Sequence, residues 1–323
     1  MEIKQIITEI KQKLDTKGGL KHVYFVACGG SKAIFDPAQF IFDRETTLPS
    51  FVYNANEFIH RCPKGLGENS LVVTCSHSGN TLETTRATQL AGDKGALTIS
   101  FSYRVDSPLW KATQHPISYV WGPESDPGDN NNGMLYRLVF SILNVLQPNE
   151  KYERAIKACD NLGKVYEANK AKFAESAKAF GKKYKNNKLI YTMSSGPCYG
   201  VAYSFAICLL QEMQWIHSGC IHSGEYFNGP FEVTDYDVPF MLVKSIGHTR
   251  HLDERVENFA KKFTEDLLVL DQKDLDLSTV ADEAKPYVAA ILTGVVIRHF
   301  VEAIAFERGH SLDVRRYMWQ MQY

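Results

Sequence analysis

The chain has 323 residues, of which 44% are hydrophobic and 23% are charged, and its formal net charge is −1. A chain of this length can bury a large core and is long enough for two domains. Because acidic and basic residues are balanced, the composition argues against nucleic acid or a membrane surface as the main partner. The longest apolar run, 199–210, is shorter than the roughly 18 residues of a membrane span, and it predicts a buried helix.

The seven cysteines show neither the CxxC nor the Cys/His spacing of a metal site. Their odd number and their positions inside apolar patterns favour a reducing cytoplasm and structural thiols. Cys28 and Cys75 end predicted strands beside glycine turns, where they could line a site without acting as nucleophiles. The first residues, 1–7, form a charged amphipathic pattern and not a signal sequence. We therefore expect a cytoplasmic protein.

Apolar runs that end in glycine or small polar residues alternate with helical patterns along the chain. The first run, 21–27, leads into Cys-Gly-Gly-Ser at 28–31 and a helical stretch over 32–43. Such alternation predicts an α/β fold with parallel sheets that helices cover on both faces. The other predicted strands lie at 70–74, 96–100, 117–120, 188–193, 239–243 and 267–270.

Residues 75–81 (Cys-Ser-His-Ser-Gly-Asn-Thr) follow the strand 70–74 directly, and a helix is predicted to start at Thr81. Backbone N–H groups, short hydroxyls and the positive end of the helix would then face one point, which suits a phosphate. Ser and Thr are also preferred helix N-caps, so an ordinary capped turn explains the same residues. The segment alone leaves both interpretations open.

A second strand, glycine turn and helix follow about 165 positions after the first, which predicts two copies of one α/β unit. Strand 188–193 leads into Ser-Ser-Gly-Pro at 194–197 and a helix over 199–215. The charged helical pattern 147–185 is interpreted as the connector. Ligands of open α/β sheets bind at the carboxyl ends of strands, and these turns lie there.

From about residue 20 to the C-terminus, the chain resembles the sugar isomerase (SIS) domain family, most closely its fructosamine- and fructoselysine-6-phosphate deglycases. It is also similar to the isomerase half of glucosamine-6-phosphate synthase. The resemblance implies two tandem SIS domains, 1–165 with an N-terminal helix and 166–323 with a C-terminal tail. Each would hold a mostly parallel, doubly wound, flavodoxin-like sheet of five strands. The segments that carry it are Val-Ala-Cys-Gly-Gly-Ser (26–31), Cys-Ser-His-Ser-Gly-Asn-Thr (75–81), Glu-Met-Gln-Trp-Ile-His (212–217), His-Ser-Gly-Glu-Tyr-Phe-Asn-Gly-Pro-Phe-Glu (222–232) and Arg-Arg-Tyr-Met-Trp (315–319).

The resemblance also implies which residues bind a sugar phosphate. Ser76, Ser78 and Thr81 would hold the phosphate, with backbone donors from His77 and Gly79. The remaining predicted substrate contacts are Gly29, Gly30 and Ser31, near the amino end of the sugar, together with Ser195, His222 and Gln320.

Glu212 lies in the apolar run 205–216. Apolar surroundings disfavour a charged carboxylate, which suits proton transfer near neutral pH. The resemblance makes Glu212 the general base that moves a proton between C1 and C2 of the sugar. An exposed charge on an amphipathic helix is the alternative. His217 and His222 could act as acids, although a lone His is more often packed or hydrogen-bonded.

The chain departs from the family at two positions. Asn228 stands where most members have the His of a His-Gly-Pro pattern, either as a natural difference or as an engineered replacement, and Asn cannot titrate. Gln320 replaces the Lys with which the synthases end. We list Asn228 with Glu212 as catalytic by position. Arg315 and Arg316 could steer an anionic ligand, but a solvated basic pair is the simpler interpretation.

These residues lead to the hypothesis of a deglycase that hydrolyses fructoselysine 6-phosphate or a close relative to a hexose 6-phosphate and an amine. The alternatives are a glucoselysine-6-phosphate deglycase that gives fructose 6-phosphate, and a non-catalytic regulator that binds a sugar phosphate. An isomerase of free phosphosugars is a third possibility. No metal or organic cofactor is expected, because the nitrogen of the substrate serves as the electron sink. The expected assembly is a homodimer with sites at the subunit interface.

Overall fold

The structure, a computed structural model, describes residues 3–122 and 125–322. The chain forms two compact units. The first consists of Met1–Gly163 with Val280–Ala284, and the second of Lys164–Thr279 with Lys285–Tyr323.

The first unit alternates strands and helices, as the sequence predicts. Its strands are β1 (His22–Ala27), β2 (Ser50–Asn54), β3 (Ser70–Cys75), β4 (Leu97–Ser102) and β5 (His115–Ser118). Its helices are α1 (Ile3–Asp15), α2 (Gly29–Ala33), α3 (Phe35–Glu45), α4 (Ala55–Arg61), α5 (Leu82–Asp93), α6 (Pro108–Ala112), α7 (Asn131–Leu146) and α8 (Glu150–Cys159).

The first sheet is parallel throughout and has the strand order β2-β1-β3-β4-β5. All six residues of β3 are buried, which explains why this central strand is a continuous apolar run in the sequence. In the register, Ala27 of β1 pairs with Asn54 of β2 and with Cys75 of β3. Three neighbouring strands therefore end side by side at one edge of the sheet.

The second unit contains a smaller parallel sheet. Its strands, β6 (Tyr191–Ser194), β7 (Cys220–His222), β8 (Phe240–Lys244) and β9 (Leu267–Asp271), have the order β7-β6-β8-β9. Helix α9 (Leu162–Tyr184) crosses the boundary between the units, and the others are α10 (Tyr199–Ser204), α11 (Arg250–Ala260) and α12 (Lys285–Arg308). A π-helix (Phe205–Met213) follows α10 directly, and 3-10 turns lie at Gly196–Cys198, Pro230–Val233 and Gln272–Asp274.

Several predictions need correction. The second sheet has four strands among the described residues, not five. Two strands were not predicted from the sequence: β2, a mostly half-exposed edge strand, and β7, which has only three residues. The helix predicted over 199–215 changes from α to π geometry after Ser204. The longest apolar helix is α12, not the run 199–210. Length and composition alone would let α12 cross a membrane, but 61% of its apolar window is buried inside the protein.

Four charged side chains meet at the carboxyl edge of the second sheet. Lys244 and Asp271 are paired in register at the ends of β8 and β9, and their side chains form an ion pair at 2.9 Å. Arg250 donates to both carboxylate oxygens of Asp271 at 2.7 Å, and Glu257 accepts from Lys244 at 2.6 Å. Burial would raise the pKa of Asp271, but hydrogen bonds from Arg250, the Lys273 backbone and Lys244 hold it well below its usual range.

We predict that Asp271→Asn lowers the free energy of unfolding by about 3 kcal/mol, because it leaves two largely buried cations without their shared carboxylate. Urea unfolding at pH 7 measures the loss, and exposed Asp274→Asn is the control, with a change within about 0.5 kcal/mol. The pKa of Asp271 is lower in the folded protein than in the unfolded chain, where it is about 4. Ionised Asp271 therefore stabilises the fold fully above about pH 4, and this stabilisation is lost as the pH falls from there towards the folded pKa. The difference between the parent protein and Asp271→Asn should therefore shrink below about pH 4. Equal effects of the two substitutions at pH 7 would contradict the prediction.

Candidate functional site

The loop between β3 and α5 gathers hydroxyl groups at the start of a helix. The side-chain oxygens of Ser76 and Thr81 are 2.9 Å apart, and Ser78 Oγ accepts a hydrogen bond from the Asn80 N–H at 3.1 Å. Thr81 is the N-cap residue of α5, but its hydroxyl makes no capping hydrogen bond. The capped-turn interpretation therefore does not account for this hydroxyl.

Gly79 allows the loop to pack against the start of α6. Its φ is +66°, and a Cβ atom at this position would lie 2.0 Å from Ser107 Oγ. The Gly79 carbonyl accepts from the Leu109 N–H, and the Gly79 N–H donates to the Ser76 carbonyl at 3.1 Å. The predicted backbone donor at Gly79 is therefore engaged within the loop.

Aromatic side chains fix the imidazole of His77. Its ring stacks on that of Tyr103, with centroids 5.1 Å apart and an interplanar angle of 3°, and the edge of Trp121 contacts it. His77 Nδ1 and the Tyr119 hydroxyl are 2.9 Å apart. Burial, and then the nearby charge of Arg104, lower the pKa of His77, so that the imidazole is neutral at neutral pH.

The predicted Gly-Gly-Ser contacts lie beside this loop. Gly29 (φ +54°), Gly30 and Ser31 open α2, directly after the strand end that pairs with Cys75. The Ser31 hydroxyl is hydrogen-bonded to the Cys75 thiol, whose pKa burial raises to about 12. Cys75 is therefore a structural thiol, and the fold brings the two predicted substrate loops of the first unit together.

Glu212 lies near the end of the π-helix in the second unit, with 24% of its side chain exposed. Arg315 Nε donates to Glu212 Oε1 at 2.9 Å, and Arg315 Nη2 forms an ion pair with the same oxygen at 2.8 Å. The expectation of apolar surroundings is therefore incomplete. The prediction that Arg315 and Arg316 are both solvated is wrong for Arg315, whose side chain is 6% exposed. Arg316 is exposed, and its guanidinium carbon lies 4.2 Å from the ring centroid of Trp215.

Ser195 and His222 are partly or wholly buried. Ser195 is 0% exposed, as Ser76 is 2% exposed, and the Ser195 hydroxyl donates to the Thr249 carbonyl at 3.2 Å. His222 Nδ1 accepts from the Gly224 N–H at 3.0 Å. In a neutral His222 the proton is therefore on Nε2, which can donate to a ligand.

Asn228 and Gln320 lie in exposed turns. The Asn228 amide donates to the Gly224 carbonyl at a long 3.4 Å, and the Gln320 N–H donates to the Tyr317 carbonyl. Their roles, like those of the other site residues, remain predictions. Among residues 3–122 and 125–322, no group of three or more His, Cys, Asp or Glu side chains could hold a metal ion.

We predict that Gly79→Ala destabilises the protein by about 2 kcal/mol or more, because it combines a positive φ with a clash against Ser107. Gly92→Ala in the same connection is the matched control, since a Cβ there meets no atom within 4 Å. It should be neutral or stabilise by up to about 1 kcal/mol. Urea unfolding of both variants measures the difference, and similar changes in the two would refute the packing argument.

Comparison with known proteins gives the chain relatives along its whole length. The SIS domain family matches residues 20–146. The fructosamine deglycase FrlB of Bacillus subtilis (strain 168) is 46% identical over 323 residues, which cover 100% of this chain and 97% of the relative. The fructoselysine 6-phosphate deglycase of Escherichia coli (strain K12) is 28% identical over 309 residues, which cover 93% of this chain and 86% of the relative.

A solved structure agrees with these relatives. A crystal structure of a Bacillus subtilis protein that is 46% identical superposes with a TM-score of 0.96, covering 99% of this chain and 97% of that chain. The chain therefore belongs to the SIS domain family, in the group that contains the fructosamine and fructoselysine 6-phosphate deglycases.

Proposed function

We propose that the protein is a deglycase that cleaves a 6-phosphorylated sugar–amine adduct with water, giving a hexose 6-phosphate and the free amine. The observation that carries the proposal is the 46% identity to fructosamine deglycase FrlB over the full length of this chain. The preferred substrate is fructoselysine 6-phosphate, and its products are lysine and glucose 6-phosphate.

In this proposal the phosphate binds at the loop between β3 and α5. The hydroxyls of Ser76 and Thr81 are 2.9 Å apart there, Ser78 lies in the same loop, and the positive end of the twelve-residue helix α5 adds to the attraction of an anion. The neutral hydroxyls recognise the phosphate by donating hydrogen bonds, without a cation in the loop. The adjacent turn with Gly29, Gly30 and Ser31 contacts the sugar nearer the amine.

Glu212 is the proposed general base. Its carboxylate takes a proton from the carbon that bears the amine, and the electron pair of the broken C–H bond forms a carbon–carbon double bond to the carbonyl carbon. The carbonyl oxygen takes a proton from the ammonium group of the substrate, which gives an enaminol. The same proton returns to the adjacent carbon, and the double bond moves to nitrogen as an imine. Water adds to the imine carbon, and the amine leaves with a proton. Each step is a proton transfer or an addition, so the reaction needs no oxidant.

Asn228 narrows the choice of proton shuttle. An amide can hold a sugar hydroxyl by donating and accepting hydrogen bonds, but it cannot carry a proton. His222, with its proton on Nε2, is the titratable side chain we assign to contact the substrate next to the base. The same two departures from the family, Asn228 and Gln320, favour the second candidate function, a regulator that binds a sugar phosphate without turnover.

The domain organisation and setting complete the proposal. We assign SIS domains to 1–165 and 166–323, as two copies of one α/β plan, and we take the protein to be a cytoplasmic homodimer. The strand order of the first sheet supports the flavodoxin-like description for that domain.

The protein mixed with fructoselysine 6-phosphate should release lysine and glucose 6-phosphate, as measured by mass spectrometry. Glucoselysine 6-phosphate and amine-free fructose 6-phosphate are the comparison substrates, and both should remain unchanged. Release of fructose 6-phosphate from glucoselysine 6-phosphate would assign the other adduct. Binding without turnover, also with Asn228→His, would favour the regulator.

Glu212→Gln should lower kcat by about 10²-fold or more, because the amide cannot accept the proton, with the dissociation constant of the substrate within about twofold. Steady-state kinetics and calorimetric titration measure the two quantities. Glu153→Gln, which changes an exposed carboxylate on α8, is the control and should have the kcat of the parent protein. Unchanged turnover in Glu212→Gln removes this residue from the mechanism.

A further inference from the structure

The Arg315 guanidinium holds the Glu212 carboxylate by one oxygen. Arg315 Nε donates to Oε1 at 2.9 Å, and Nη2 lies 2.8 Å from the same oxygen in an ion pair. Glu212 Oε2 has no hydrogen-bond partner among the described residues. In the usual Arg–carboxylate pair, two parallel N–H groups bind two different oxygens. Here Nε and Nη2 both approach one oxygen, Oε1.

The C-terminal tail, residues 309–322, itself fixes the guanidinium of Arg315. Arg315 Nη1 donates to the carbonyls of Leu312 and Val314, at 2.6 and 3.0 Å. The guanidinium carbon of Arg315 lies 5.2 Å from the ring centroid of Trp319. Every nitrogen of the guanidinium is therefore engaged, and it cannot turn without breaking contacts within the tail.

The beginning of the tail is attached at the end of the π-helix. Gln214 Nε2 donates to the His310 carbonyl at 2.9 Å, and Arg308 Nη2 donates to the Gln214 carbonyl at 3.3 Å. The rings of Trp215 and His310 meet edge to face at 4.5 Å. The contacts of Gln214 and Trp215 with Arg308 and His310 thus hold the start of the tail next to the end of the π-helix that carries Glu212.

We infer that Arg315 is a positioning residue for the reaction, which pins Glu212 Oε1 so that Oε2 is the oxygen that takes the proton. The inference rests on the proposed function of Glu212 as the base. Without such a contact, rotation about the side-chain bonds of Glu212 leaves the carboxylate without a fixed orientation. Small errors in its position strongly reduce the rate of proton transfer.

The test compares Arg315→Met, Arg315→Lys and Arg316→Gln in the full chain, with fructoselysine 6-phosphate as the substrate. Arg315→Met should lower kcat by about 10-fold or more with KM within about twofold, because substrate binding is retained while the base is misaligned. Arg315→Lys keeps one charge but not the two converging donors, and should fall between the parent protein and Arg315→Met. Arg316→Gln is the matched control with unchanged kcat.

A double-mutant cycle separates positioning from packing of the tail. In the Glu212→Gln background, Arg315→Met should change the residual rate by less than about threefold, because the group that it positions is gone. The same 10-fold loss in both backgrounds would mean a packing role and overturn the inference. So would a parent-like kcat in Arg315→Met or, if that variant does not fold, in Arg315→Lys. Absence of product from the unaltered protein overturns the proposed function itself, and the inference with it. Full activity of Glu212→Gln overturns the assignment of the base.

Discussion

The parallel pairing of β1 with β3 determines where the polar groups of the first unit meet. Ala27 and Cys75 are register partners, so the turn with Ser31 and the loop with Ser76 leave the sheet next to each other. A slip of one residue in this register would turn the side chains of a whole strand to the opposite face. Burial of β3 along its whole length opposes such a slip. The position of the hydroxyl groups is therefore a consequence of the core.

The two units present different chemistry at the candidate residues. In the first, neutral hydroxyls and a helix N-terminus are suited to hold an anion that carries its own charge. In the second, a carboxylate is matched by a guanidinium that is almost wholly buried. Glu212 lies on the π-helix, next to this guanidinium. π-helical turns are frequent at functional sites. In the proposed function, binding and proton transfer therefore depend on separate parts of the chain.

The sequence predicted the first sheet better than the second, and the physical reason is burial. The central strands of the first sheet are continuous apolar runs, whereas β2 is largely half-exposed and β7 is too short to show a pattern. The fifth strand of the second sheet was inferred from the resemblance, and the described residues do not form it. The contact of Arg315 with Glu212 joins residues 103 positions apart, for which no local pattern exists. The sequence likewise did not show the partner of the Ser195 hydroxyl, the Thr249 carbonyl, because that carbonyl lies 54 positions away.

Two of the four tryptophans of the chain have an arginine of the C-terminal tail over their rings: Arg316 lies over Trp215 and Arg315 over Trp319. Trp215 belongs to the turn after the π-helix, and Trp319 to the tail. The light that an indole emits changes when a cation leaves its face and water replaces it. Detachment of the tail would therefore alter the intrinsic fluorescence of the native protein, so that this part of the molecule can be followed in real time without a dye or label.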